Sequence, residues 1–373
     1  MLLALLLACE PSVPEDTGTP DTGDTADAGD DGRPSYTLVV ATVASDYSAG
    51  QLATVRAHGE VTDALLPTTS DPVVEVQGDR VFLLDRSSEN TVRMYAAGDW
   101  SQPLVELSTG DNSNPQDAAL CGDTLVVSTY AGDALGLYDA ATGLARGAID
   151  LSAWDDGDGS PEPDTILPGP DGDLYVTLNR VDTTGYPWTS ADGTGALLRV
   201  DCETLAVTAD WTVGPNPSIL PHPADPAKML LRTGDYYHDD YTAKLDGALY
   251  TFDPAAGTLS DPLLTEEDFG KNIGTLVGND DGHAILVGDD AYSWGVWCVD
   301  LATGDARPTP AVDSYIGDAV AADDGTVWIA YRAGYAGNGD PVVEGLVPWD
   351  PSACTAGEPV STLFPPYSLA LLP

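Results

Sequence analysis

Short apolar segments separated by glycine- and aspartate-rich turns recur along most of the chain. Five of these segments run into an aspartate and a tight turn, as LGLYDAATG, LLRVDCETL, LYTFDPAAG, VWCVDLATG and LVPWDPSAC. The aspartates are Asp139, Asp201, Asp253, Asp300 and Asp350. Their spacings of 62, 52, 47 and 50 residues suit a four-stranded unit with loops of variable length. The pattern predicts strands throughout and shows no helical periodicity.

A matching strand pair precedes each aspartate, as in DAALCGDTLVVSTY and AVAADDGTVWIAY, where Gly-Asp or Asp-Gly joins two β-rich runs. Two more degenerate copies, YTLVVATVASDYSAGQLATVRAHG and VVEVQGDRVFLLDRSSENTVRMYAAG, bring the number to seven. We therefore predict an all-β, seven-bladed β-propeller over residues 36–373. The first copy lacks an innermost strand and the chain ends in an unmatched one, so we expect Tyr367–Leu371 to close blade one.

The composition agrees with many short strands and defines the charge of the surface. Gly 39 and Pro 29 fit numerous turns, and 60 acidic against 14 basic residues give a formal net charge of -46. Such a surface repels phosphate backbones and anionic headgroups, which argues against nucleic acid and against direct membrane binding. Cationic ligands are compatible with it, and we expect a monomer.

The N-terminal segment MLLALLLAC ends in LLAC at Cys9 and resembles the lipobox of bacterial lipoproteins. In that family the signal peptide is removed before a diacylated cysteine, so the resemblance implies a signal peptide over residues 1–8 and lipidation of Cys9. Residues 9–35 are rich in Asp, Thr, Gly and Pro, which predicts a disordered acidic linker. We expect a lipid-anchored protein of the bacterial cell envelope, with the outer membrane as the first choice; a chance cysteine in an apolar N-terminus is the alternative.

The repeat resembles the YVTN and NHL-like β-propeller families, best in FLLDRSSENTVRMY and VVSTYAGDALGLYDAATGLARGAIDL. Members of those families include surface proteins and binding scaffolds, and related propellers include lactonases and lyases. The resemblance implies the fold and leaves two functions open. The first is an envelope-anchored binding or scaffold module for a protein, peptide or glycan. The second is a calcium-dependent, lactonase-like hydrolase or lyase acting at the central channel.

Candidate ligand-binding residues lie in the long loops of blades four, five and seven and in the corresponding loop of blade six. Aromatic side chains mixed with aspartates can stack on a sugar or hold a cationic peptide, and loops on a rigid scaffold often carry recognition. Alternatively, these rings pack on one another and hold the loops in place. The candidates are Tyr186, Trp188, Tyr236, Tyr237, His238, Tyr241, Tyr292, Trp294 and Tyr335.

Three aspartates, Asp117, Asp164 and Asp318, align near the start of innermost strands, with Ser218 and Ser368 in two other blades. Carboxylates that converge at the channel mouth could hold a hard cation such as Ca2+. The alternative role is to accept backbone hydrogen bonds from the neighbouring blade.

The acidic loop WDDGDGSPEPD looks similar to a calcium loop and contains Asp155, Asp156, Asp158 and Asp164. The EF-hand spacing fails, because Pro161 occupies the glycine position and Leu167 the position of the bidentate glutamate. We interpret this segment as a solvated loop.

Four cysteines follow Cys9, an even number that fits disulfide formation in an oxidising compartment. Of the three possible pairings we favour Cys121 with Cys202 and Cys298 with Cys354, because each pair joins adjacent blades. Free buried thiols are the alternative.

Signatures of nucleophilic catalysis are missing from the sequence. None of His58, His222, His238 and His283 lies in a GxSxG or HExxH motif, and only His238, among aromatic and acidic residues, is a candidate general base. We therefore favour a non-enzymatic role.

Overall fold

The computed structural model describes residues 35–373, apart from 87, 183–188, 191, 236, 239, 241, 290–293 and 334–338. Pro34–Pro373 group into one compact unit. The predicted signal peptide, Cys9 and the linker up to residue 34 lie outside the described residues. So do six of the candidate ligand-binding residues, namely Tyr186, Trp188, Tyr236, Tyr241, Tyr292 and Tyr335.

Seven antiparallel sheets, six of four strands and one of five, form the blades and confirm the predicted all-β propeller. The strands are given from the channel outwards. Blade one contains Pro366–Leu372, Thr37–Val43, Gly50–Arg56 and Val61–Thr68. Blade two contains Pro72–Gln77, Arg80–Asp85, Thr91–Ala96 and Val105–Ser108. Blade three contains Pro115–Cys121, Thr124–Thr129, Ala134–Asp139 and Ala145–Asp150.

The remaining blades follow the same order. Blade four contains Pro163–Pro168, Leu174–Leu178, Gly195–Asp201 and Ala206–Val213. Blade five contains Ser218–Pro221, Met229–Arg232, Ala248–Asp253, Thr258–Leu259 and Leu264–Thr265. Blade six contains Asn272–Gly278, His283–Asp289, Trp294–Asp300 and Asp305–Pro308. Blade seven contains Ser314–Ala321, Val327–Ala333, Gly345–Asp350 and Thr355–Ala356.

Three short elements lie in the connections. A small hairpin pairs Val181–Asp182 with Thr189–Ser190, and a single 3-10 turn spans Ser152–Trp154. The four-residue α-helix Glu266–Phe269 is capped by Thr265, whose hydroxyl oxygen accepts a hydrogen bond from the N–H of Asp268. In the described part of the chain, no helix has the length and apolar character needed to cross a membrane.

Blade one is built from both ends of the domain. Thr37–Val43 pairs antiparallel with Pro366–Leu372, which places Leu38 opposite Leu371 and Ala41 opposite Ser368. The C-terminal strand is therefore the innermost strand of blade one, as expected, and the ring closes without leaving this sheet edge unpaired.

The apolar core consists of seven clusters, one between each pair of neighbouring blades. Because successive side chains of a strand point to opposite faces, Leu38 and Val40 pack against blade seven whereas Val39 and Ala41 pack against blade two. Both faces of a blade are thus buried. This explains why the inner strands read as nearly continuous apolar runs.

Two disulfides reinforce the blade boundaries. Cys121 is bonded to Cys202 between blades three and four, and Cys298 to Cys354 between blades six and seven. These are the pairs favoured from the sequence.

The propeller has two unlike faces. On the loop face the innermost strands begin, and so do the third strands of each blade, while the second and fourth strands end there. On the opposite turn face lie the short turns between first and second strands.

Candidate functional site

The innermost strands enclose a central cavity of about 500 Å³ that extends to the turn face. Its wall combines apolar side chains, such as Leu220 and Val320, with the acidic side chains of Glu75, Asp117 and Asp318. The three acids come from blades two, three and seven. The cavity therefore forms only when the ring of blades is closed.

Asp117 and Asp318 each connect two blades through their carboxylates. Each accepts a hydrogen bond from the N–H of the residue that follows it. In addition, Asp117 accepts one from the N–H of Ile166 in blade four at 2.6 Å, and Asp318 accepts one from the N–H of Leu369 in blade one at 2.8 Å. Both carboxylates thus make the backbone hydrogen bonds that the sequence left open as their alternative role.

Asp164 does not occupy the position equivalent to Asp117, so its alignment is corrected by one residue. The N–H of Asp117 donates to Ser128 Oγ in the second strand of its blade at 3.1 Å. In blade four the corresponding donor is the N–H of Thr165, which reaches Thr177 Oγ1 at 3.2 Å. Thr165 therefore takes the channel position that the sequence assigned to Asp164.

Both innermost strands have a shift in register after their first proline, between Pro115 and Asp117 in blade three and between Pro163 and Ile166 in blade four, so Thr165 is the residue that aligns with Asp117. Asp164 lies one residue nearer the loop face, where its carboxylate accepts a hydrogen bond from Asn179 Nδ2 at 3.2 Å. Burial raises the pKa of Asp164, and the positive charges of Arg86 and Arg232 oppose part of that rise.

The three aspartates do not form one oxygen cage. Among the described residues, the only group of three carboxylates whose oxygens lie within 4.8 Å of one another is Asp155, Asp156 and Asp158. The three carboxylates therefore accept hydrogen bonds separately. Their oxygens do not all lie within 4.8 Å of one another, so the structure gives no support to a single Ca2+ bound by Asp117, Asp164 and Asp318.

Glu75 is the carboxylate that the sequence reasoning missed. Its side chain is exposed to the cavity, although the ring of blades surrounds it. It makes no hydrogen bond or ion pair with any residue that the structure describes. The sequence did contain a signal, because an ionisable residue interrupts the apolar run VVEVQ of a strand whose sheet is buried on both faces.

Enclosure shifts the acidic groups of the cavity towards neutral pH. It raises the pKa of Glu75 well above its ordinary value, and the nearby charges of Asp117 and Asp318 raise it further. Burial raises the pKa of Asp117 to about 7 and that of Asp318 to about 6. Such a set of carboxyl groups can bind a cation or exchange protons with a ligand.

A second, open cleft of about 720 Å³ lies on the turn face between blades six and seven. It adjoins the central cavity, because Gly278 and Ala321 line both. Five aspartates line this cleft: Asp280, Asp281, Asp323, Asp324 and Asp350. Their combined charge attracts cations to the mouth of the cavity and repels anions from it.

Of the candidate ligand-binding aromatic and histidine residues, Tyr237, His238 and Trp294 are described, and none of these three lines the central cavity. The hydroxyl of Tyr237 donates to the carboxylate of Asp289. Trp294 packs edge-on against Tyr315, with the ring centroids 4.7 Å apart. His238 is exposed. The contact of Trp294 with Tyr315 is a ring contact, whereas that of Tyr237 is a hydrogen bond to a carboxylate.

No protein-family model matches the sequence, and a search of curated proteins finds no similar one. Solved structures share the fold. A candidate 6-phosphogluconolactonase from Bacteroides fragilis superposes with a TM-score of 0.60 at 14% identity, over 91% of this chain and 98% of that one. A second, from Bacteroides uniformis, gives 0.58 at 13% identity over 90% and 99%. A protein from Lactobacillus plantarum gives 0.59 at 11% identity over 91% and 100%. At such identities the similarity shows the fold alone.

Proposed function

We propose that this protein is a binding module that takes the cationic end of a ligand, an amine or a guanidinium group, into the acidic central cavity. The Glu75 carboxylate carries the proposal, because it faces the cavity beside Asp117 and Asp318 and has no partner among the described residues. A cation placed there offsets the repulsion between the three acids in an enclosed site. A volume of about 500 Å³ accommodates an unbranched amine or an arginine side chain.

The outer cleft supports the same ligand class. A basic ligand that approaches the turn face meets the five aspartates before it reaches Glu75, so the field directs it inwards. A lysine- or arginine-bearing peptide and a free polyamine share this chemistry. A phosphorylated sugar does not, which argues against transferring the activity named for the two Bacteroides neighbours.

A lactonase-like hydrolase for uncharged or cationic lactones is the second candidate. Burial raises the pKa of Asp318 to about 6 and that of Glu75 well above its ordinary value, so the cavity holds carboxyl groups suited to general acid–base chemistry.

The binding proposal is tested by calorimetric titration with cadaverine and with arginine methyl ester, using glucose 6-phosphate as the anionic control. We expect saturable binding of the two cations and none of the anion. Glu75→Gln should weaken the binding by about tenfold or more, because removing one partner of an enclosed charge pair costs at least about 1.4 kcal/mol. Asp281→Asn in the outer cleft is the matched control and should change the affinity about twofold or less.

Two results decide between the candidates. If the folded protein binds neither cation, or binds them equally well after Glu75→Gln, the binding proposal is wrong. Hydrolysis of a neutral lactone such as glucono-δ-lactone, lost in Glu75→Gln, would favour the hydrolase.

We also propose that Cys9 is lipidated and anchors the protein in the bacterial envelope, most simply in the outer membrane. The support is the LLAC segment followed by an acidic, apolar-poor stretch. Metabolic labelling with palmitate should mark the wild type, and Cys9→Ala should abolish the label and move the protein from the membrane to the soluble fraction. An unlabelled wild type would show that Cys9 is not acylated.

A further inference from the structure

A buried arginine on the loop face has no acidic partner among the described residues. Arg332 lies near the end of Val327–Ala333, the second strand of blade seven, and is only 4% exposed. The chain has 60 acidic and 14 basic residues, yet the hydrogen bonds that Arg332 makes within the described structure go to backbone carbonyls. Arg93, which is also largely buried, is paired with Asp85. A buried charge without a counter-charge costs free energy, so a group that supplies one gains by binding there.

Four neighbours hold the guanidinium of Arg332 in place. Its Nη1 donates to the carbonyl oxygens of Val43 and Pro365, both at 3.1 Å. The guanidinium carbon lies 5.3 Å from the ring centroid of Tyr47 and 5.3 Å from that of Tyr367, within the range of cation–π contacts. The side chain is therefore oriented before any ligand arrives.

One edge of this guanidinium is left for a ligand. Nη1 is used by the two carbonyl oxygens, whereas Nε and Nη2 of Arg332 donate no hydrogen bond to any residue that the structure describes. In an arginine, the N–H of Nε and one N–H of Nη2 point in parallel from the same edge. This edge matches the two oxygens of a carboxylate, which accept two parallel hydrogen bonds from it. A carboxylate therefore uses these donors and also supplies the missing negative charge.

A small pocket adjoins the arginine on the loop face. Arg332 lines it together with Ser45, Tyr47, Tyr315 and Pro365, and its volume is about 40 Å³. A single water needs about 10–15 Å³, so the pocket has room for a carboxylate group, and the rest of the ligand extends past the exposed Tyr47. Ser45 is exposed too, and in the described part of the chain its hydroxyl makes no hydrogen bond, so it can donate to the same ligand.

We propose that Arg332 binds the carboxylate group of a ligand through Nε and Nη2, with Ser45 as a further donor. The net charge of -46 repels dissolved anions in general, so the paired N–H groups must provide the selectivity. A carboxylate should bind in preference to chloride, which presents a single atom to the two N–H groups. The site is independent of the acidic cavity, because it lies on the other face and takes a ligand group of opposite charge.

The direct test is NMR of the full chain labelled with nitrogen-15 arginine, in which the Nε–H signal of Arg332 is the one that Arg332→Lys removes. Sodium acetate replaces sodium chloride at constant ionic strength, so that screening does not change during the titration. We expect a saturable shift of the Arg332 signal. Arg307, an exposed arginine in the outer strand of blade six, is the internal control, and its signal should not move.

Matched variants measure what the guanidinium contributes to binding, followed by saturation-transfer NMR of the acetate methyl group. Arg332→Lys should weaken binding by about tenfold or more, because lysine keeps the charge but has no planar pair of N–H groups. Arg307→Lys should leave binding unchanged. If Arg332→Lys does not fold, Tyr47→Asn takes its place, since asparagine tolerates the φ of 58° at this position. Loss of this ring should shift the Arg332 signal and weaken binding about two- to fivefold.

A dipeptide distinguishes the two sources of a carboxylate, a free small acid and the end of a peptide chain. We expect N-acetyl-alanyl-alanine to bind and its C-terminal amide not to bind. Tighter binding of this peptide than of acetate would assign the site to a chain end, and equal binding would assign it to a free small acid. The proposal is wrong if acetate leaves the Arg332 signal unmoved, if Arg307 responds equally, if the amide binds as well as the acid, or if the site variants bind as the wild type does.

Discussion

The acids of the central cavity differ in whether their side chains stabilise the fold. Asp117 and Asp318 satisfy backbone N–H groups of the next blade, so their presence has a structural reason. Glu75 satisfies no such group in the described structure, and its enclosure raises its pKa. A charge that costs stability and serves no fold contact is typical of functional sites.

Replacing Glu75 by glutamine should therefore stabilise the protein in a pH-dependent way. Because the folded-state pKa is above the ordinary value, the folded protein retains a proton that the unfolded chain releases, and stability falls as the pH rises through this window. Glutamine does not ionise and removes that fall. Calorimetry should show Tm about 1–3 °C above wild type at pH 8 and nearly equal values at pH 4.

The exposed Glu358 supplies the control, because Glu358→Gln also removes one carboxylate. Equal stabilisation by both variants would mean that the effect arises from the overall charge and not from the cavity.

At the scale of strands, the sequence predicted the repeat but not its exact register. Strand spacing and Gly-Asp turns identify blades because each blade buries both faces, and the disulfide pairs follow from which blades are adjacent. Asp164 was misaligned because aspartates were matched by residue type, whereas both strands have a register shift after their first proline, which aligns Asp117 with Thr165. Glu75 has a different reason for escaping a sequence-based prediction, because no other blade has an acidic residue at the equivalent position.

Contacts across blade boundaries should contribute measurably to stability, and Ser368 offers a clean test. Its hydroxyl accepts a hydrogen bond from the N–H of Val74 in blade two at 3.1 Å and contacts Asp318 of blade seven at 3.2 Å. Ser368→Ala leaves the buried N–H of Val74 without its partner, which should cost about 1–3 kcal/mol in urea unfolding. Ser361→Ala, at an exposed serine of the same terminal segment, should cost less than about 0.5 kcal/mol. Similar values for the two variants would contradict a structural role for Ser368.

The disulfides also join neighbouring blades, and each should contribute more to the free energy of unfolding than the Ser368 hydrogen bonds do. Cys298 and Cys354 are 56 residues apart, so losing their bond frees a long loop in the unfolded chain. Cys298→Ser/Cys354→Ser should lower the free energy of unfolding by about 4 kcal/mol, and Cys121→Ser/Cys202→Ser by a similar amount. Denaturant titration of both variants, with and without a reducing agent, checks this expectation. A wild type that reduction leaves equally stable would show that the thiols are not bonded.

At the scale of the whole molecule, ring closure and the candidate binding site depend on each other. The acids of the cavity come from blades two, three and seven, and Asp318 of blade seven holds the innermost strand of blade one at Leu369. That strand is the last one in the chain. A cavity assembled from distant blades therefore forms only when the two ends of the domain have paired.

Deleting residues 365–373 should accordingly abolish both folding and ligand binding. The deletion removes the partner of Thr37–Val43 and exposes the two apolar clusters on either side of blade one. We expect a product without a cooperative thermal transition, which calorimetry and circular dichroism would detect. Removing Pro373 alone, an exposed residue beyond the strand, should leave Tm unchanged. A shortened protein that unfolds at the wild-type temperature would show that the ring does not need its C-terminal strand, and cadaverine binding by that protein would place the cation site in fewer blades than we propose.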